Sequence, residues 1–99
     1  MADAATLDIE RELKTLVVKE LHLEGIDPAD IESDEPLFVE GLGLDSIDAL
    51  EIGIILRKVY DIKIEAATDE IRAHFFSIAS LARFIRAERE KRQNDAGDI

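Results

Sequence analysis

The chain contains no cysteine, so disulfides, thiolate metal sites and thiol nucleophiles are all excluded, and no sulfur chemistry comes from its own side chains. It has no tryptophan, two prolines and a single tyrosine. The two imidazoles, His22 and His74, are expected at helix ends or on the surface. No Gly-x-Ser-x-Gly surrounds any serine, so nothing assembles a hydrolytic site, and the reading is that the chain is not an enzyme. Apolar runs fall short of the ~18 residues of a membrane span, and the N-terminus lacks the basic and apolar regions of a leader. A soluble, cytoplasmic protein is therefore expected. Cations are scarce as well. Lys and Arg number 12 against 23 Asp and Glu, a net charge of −11 that opposes direct nucleic-acid binding and favours partners with basic surfaces.

What is present is unevenly distributed. Glu24 to Glu51 holds ten acidic residues and no Lys or Arg, whereas Arg83 to Arg92 holds five basic residues and two acidic ones. The acidic stretch IDPADIESDEP lacks the spacing and central glycine of a calcium loop, so no metal is expected.

Ninety-nine residues suffice for one modest core, here taken as a single domain over 1–99 with flexible ends at 1–5 and 93–99. Ile9, Leu13, Leu16, Val17 and Leu21 predict a first helix from Leu7 to Leu21. A long connection, His22 to Asp45, follows. Asp27 before Pro28 reads as a cap opening one turn, and Ile26, Ile31, Leu37, Phe38, Leu42 and Leu44 should pin the connection to the bundle. A second helix is expected from Ser46 to Tyr60, a short one from Asp69 to His74, and a last one capped by Ser77 and running to Arg92. Helical periodicity is unopposed by strand alternation. The fold class is all-α: a small bundle of three main helices plus one short helix, with a long first loop.

The second helix has one apolar face too many. With Ile47 at zero, Leu50 and Ile54 fall at about 300° and −20°, while Ile52, Ile55, Leu56 and Val59 fall between about 80° and 180°. A bundle this small can bury only one such face. The stripe that begins beside Ser46 is the one expected to meet a partner, with Glu51 and Lys58 bordering it. Asp45 with Asp48 three residues on makes a capping box, which leaves the Ser46 hydroxyl uncommitted. Gly41 and Gly43 remove side-chain bulk on the approach.

LFVEGLGLDSIDALEI is similar to the signature of the acyl carrier protein family, and FFSIASLARFI is similar to the closing helix of that family. The resemblance covers Leu7 to Ile85 and implies that Ser46 receives 4'-phosphopantetheine from a phosphopantetheinyl transferase. It implies further that Asp45, Asp48 and Glu51 face basic patches on that transferase and on acyl-transferring, synthase or ligase enzymes, with Ile47, Leu50 and Ile54 as the apolar contact stripe. Acyl intermediates would ride as thioesters on the prosthetic thiol, which supplies what a cysteine-free chain lacks. Such a carrier, expected to be a monomer, would serve fatty-acid, polyketide or specialised lipid synthesis. Phe38, Ile52, Leu56 and Phe75 would line a pocket for the acyl chain. A peptidyl or D-alanyl carrier, or an unmodified interaction module, are the alternatives.

The chain departs from the family pattern in three places. Arg57, Lys58 and Val59 stand where the family often has acidic residues; IEAATDEIRAH is longer than the usual link into the third helix; and RAEREKRQN extends beyond a minimal carrier. Together they favour a specialised pathway.

Overall fold

The computed structural model describes residues 4–37, 46–64 and 68–97, with backbone alone for Ser46 and for 93–97. Among the described residues the regular structure is four α-helices, α1 (Ala4–Glu20), α2 (Ser46–Tyr60), α3 (Asp69–His74) and α4 (Ile78–Gly97), with one 3-10 turn at Pro28–Asp30. Among the described residues there is no strand. The all-α bundle is as expected, with α2 and α3 at the expected residues. Helix α1 begins earlier and α4 continues further, so helical backbone enters both end segments.

Ile9, Leu13 and Val17 recur every four residues along α1 and are buried. Leu16 and Leu21 pack on the core only in part. The helix ends where the His22 and Leu23 amides turn back to the carbonyls of Lys19 (3.4 Å) and Val18 (3.1 Å), with His22 at φ 53°. That pattern is a Schellman termination made without glycine, so the imidazole sits at a helix end on the surface.

The long connection is fastened at several points. Asp27 accepts the Ala29 amide through Oδ1 at 2.9 Å, and Pro28 opens the 3-10 turn with its fixed φ. Ile31 and Leu37 are buried, and Ile26 is partly so. Two backbone bonds tie the connection to the start of α4, from the Leu37 amide to the Phe76 carbonyl and from the Ala79 amide to the Ser33 carbonyl, both at 2.8 Å. The second satisfies a first-turn amide that α4 itself leaves without a partner. Phe38, Leu42 and Leu44 lie outside the described residues.

Helix α3 has six residues and buries none of them. Thr68 caps it by accepting the Ile71 amide at 3.1 Å, and His74 at its end stacks on Phe84 of α4, ring centroids 4.4 Å apart. Ser77 caps α4 as expected. The core lies between α1, α2 and α4, where Leu13, Val17, Ile52, Leu56, Leu81 and Ile85 are completely enclosed.

Candidate functional site

The head of α2 combines a hydroxyl with an open apolar surface. Ser46 is the first residue of the helix, and it is the sole Ser or Thr from Leu37 to Val59. Directly after it, Ile47 and Leu50 are 68% and 70% exposed and Ile54 is 45% exposed. Their spacing places all three on one stripe. Asp48 and Glu51 are half-buried beside it. On the opposite face Ile52, Ile55 and Leu56 are buried. The two apolar faces read from the spacing are thus one core face and one open face.

Val59 departs from that division. Its spacing places it with the core face, yet it is 47% exposed, while Tyr60 beside it is buried.

The proposed pocket residues separate along the same lines. Ile52, Leu56 and Phe75 belong to one buried core cluster. Phe38 and Asp45 lie outside the described residues, as do Gly41 and Gly43. A cleft of about 380 Å³ lies elsewhere, between the segment after α2, α3 and α4, with Ile62, Ile64, Ile71 and Phe84 as its apolar lining and Glu88 and Arg92 at its edge. Helical periodicity does not reveal this cleft, since four of its ten lining residues stand outside the helices and the other six come from two different helices.

The far end of α2 carries a further arrangement. Tyr60 is 4% exposed, and its hydroxyl faces the Glu12 carboxylate without forming a hydrogen bond of good geometry. Burial pushes the phenol pKa well above its ordinary value, and the nearby Glu12 carboxylate pushes the same way, against a smaller opposing pull from Arg89. The Arg89 guanidinium lies 5.3 Å from the ring centre, within cation–π range. Arg89 and Arg92 stand about one helical turn apart on the charged tail of α4, and in the sequence they are two cations of a basic ending.

A family model described as the phosphopantetheine attachment site matches residues 11–85. The chain belongs to this family. Its prosthetic group is 4'-phosphopantetheine, and the match takes in all of α2 and ends within α4. The residues at the head of α2 suit that group. A hydroxyl-bearing residue opens the helix, where backbone amides without intrahelical partners and the positive end of the dipole favour a phosphate. Exposed Ile47 and Leu50 leave the surroundings accessible to a protein partner. Among the described residues, no helix is long and apolar enough to cross a membrane.

Proposed function

We propose that this member of the family is a non-catalytic acyl carrier, with Ser46 as the residue that bears the phosphopantetheine arm. The observation that carries the reading is the open stripe of Ile47, Leu50 and Ile54 beginning one residue after Ser46. Three exposed branched side chains in a row cost solubility, and they are explicable as a surface periodically covered by enzymes that modify or use the arm. Asp48 and Glu51 beside the stripe supply carboxylates to basic patches on those enzymes, and Asp45 is assigned the same role.

When bound, the arm supplies a terminal thiol on which cargo is held as a thioester, a group that this chain has no cysteine to provide. The protein contributes position. Ser46 offers its hydroxyl at the helix head, the acidic flank orients the incoming enzyme, and the apolar stripe fixes its register along α2. A pathway other than ordinary fatty-acid synthesis is favoured by Arg57 and Lys58, both exposed at the end of α2 where the family often carries acidic residues. The acyl chain is assigned to the space between Ile52, Leu56 and Phe75, together with Phe38, which requires the core to part.

The test is intact-mass measurement after incubation with a phosphopantetheinyl transferase and coenzyme A. One phosphopantetheine should be added to the wild type and none to Ser46→Ala. Labelling that persists in the variant would sink the assignment.

A further inference from the structure

The family match stops at Ile85, but α4 runs on for three more turns to Gly97, and that extension is attached to both α1 and the end of α2. Near its start, Arg86 donates through Nη1 to the Thr6 hydroxyl of α1 at 3.2 Å. Further along, Arg92 reaches the last residues of α2. Its Nη1 donates to the Tyr60 carbonyl at 3.3 Å, its Nη2 donates to the Asp61 carbonyl, and the same guanidinium lies 3.6 Å from Asp61 Oδ2. Arg89, one turn earlier, covers the Tyr60 ring.

These contacts fall where α2 most needs support. Carbonyls in the last turn of a helix have no intrahelical donors, and the negative end of the dipole adds to the attraction for a cation. Asp61, directly after α2, takes the left-handed region at φ 55°, an uncommon conformation for a non-glycine residue that aspartate adopts at helix ends. The Ile62 amide returns to the Leu56 carbonyl at 3.0 Å, closing the turn that Arg92 clasps.

We propose that the part of α4 beyond Ile85 is a releasable strap, which clasps the C-terminal end of α2 through Arg89 and Arg92 and holds the following segment against the bundle. The strap is releasable because its polar contacts lie at the surface: the Arg92 side chain is 49% exposed and that of Asp61 is 89% exposed. Contacts of that kind are weakened by salt and by a competing carboxylate. Because Arg92 also edges the cleft lined by Ile62, Ile64 and Ile71, lifting the strap widens that cleft while the core between α1 and α4 stays packed. None of this depends on where the prosthetic arm is attached.

The experiment is native-state hydrogen exchange on the full chain, comparing the wild type with Arg92→Gln, Arg92→Lys and the control Arg83→Gln, an exposed cation on the same helix. In Arg92→Gln, the amide of Ile62 should exchange about tenfold faster or more while those of Leu13 and Val17 change by less than about threefold. Arg92→Lys should recover part of the protection, since an ammonium can serve one carbonyl but cannot fork across two. Added salt should move the wild type in the same direction as Arg92→Gln. Unchanged exchange at Ile62, a uniform acceleration over the whole chain, or an equal effect from Arg83→Gln would each overturn the strap.

Discussion

Ser77 and Ser80 cap each other: the Ser77 hydroxyl accepts the Ser80 amide at 3.1 Å, and the Ser80 hydroxyl accepts the Ser77 amide at 2.9 Å. This is a capping box with serine in the place usually held by Glu or Gln. The Ser80 hydroxyl also donates to the His74 carbonyl at 2.8 Å, which joins the end of α3 to the start of α4. Ser77→Ala should cost about 1 kcal/mol in chemical denaturation, within a range of roughly 0.5–2. The double variant Ser77→Ala, Ser80→Ala should cost less than the sum of the singles, because the two hydroxyls share one network.

Leu50 and Leu56 are the same residue on opposite faces of α2, one 70% exposed and one fully enclosed. Leu56→Ala should destabilise the fold by about 2–5 kcal/mol, whereas Leu50→Ala should stay within about 0.5 kcal/mol of the wild type. The order reverses for modification by the transferase. Leu50→Ala should lower the efficiency of arm attachment, which steady-state kinetics on the folded variants would show.

Charge reversal at Asp48 and Glu51 should slow arm attachment, and salt should slow it in the wild type, because exposed charges are screened within about 8 Å at physiological ionic strength. Rates that ignore both changes would remove the acidic flank from the recognition surface.

Tyr60 makes alkaline stability testable. Its pKa in the fold is raised above the ordinary value of 10.0, chiefly by burial, so the folded chain keeps its proton where the unfolded chain would lose it. The contribution is therefore complete below about pH 10 and declines as pH rises past the unfolded value. Melting temperature should fall more steeply between pH 9 and pH 11 in the wild type than in Tyr60→Phe. At neutral pH the variant should stay within about 1 kcal/mol of the wild type, since the hydroxyl it removes makes no hydrogen bond of good geometry to Glu12.

Cargo length tests the assignment of the acyl chain. Each buried methylene contributes about 0.8 kcal/mol, so a hexanoyl chain would gain roughly 5 kcal/mol before the cost of parting the core. Octanoyl and hexanoyl forms should melt higher than the acetyl form, with amide shifts at Ile52, Leu56 and Phe75. Identical melts across the series would leave the chain in solvent.

The helices were legible because their apolar residues keep a period near 3.6 and their starts carry recognisable caps at Asp27 and Ser77. The split between Ile47, Leu50 and Ile54 outside and Ile52, Ile55 and Leu56 inside was legible for the same reason. Spacing along one helix could not show what depends on two elements meeting. Val59 is 47% exposed although its spacing sets it on the core face, and nothing along α2 alone foretells that. The clasp of Arg92 on Tyr60 and Asp61 joins residues 32 and 31 positions apart, and in the sequence Arg92 is one cation in a basic tail. The last helix is expected to end at Arg92, because Gln93, Asn94, Asp95 and Gly97 carry no apolar spacing from which helix could be read, yet it continues to Gly97.

The one tyrosine and the absence of tryptophan give this molecule a single chromophore beyond the range of phenylalanine, and the fold places it at the joint of α1, α2 and α4. Ser46 lies at the other end of a 15-residue helix, about 21 Å away along its axis. Near-ultraviolet light therefore sees the joint and is blind to the head of α2. An enzyme that settles on Ile47 and Leu50 without disturbing the far end would bind in optical silence, and any change in tyrosine emission on binding would report that the disturbance had travelled the length of α2.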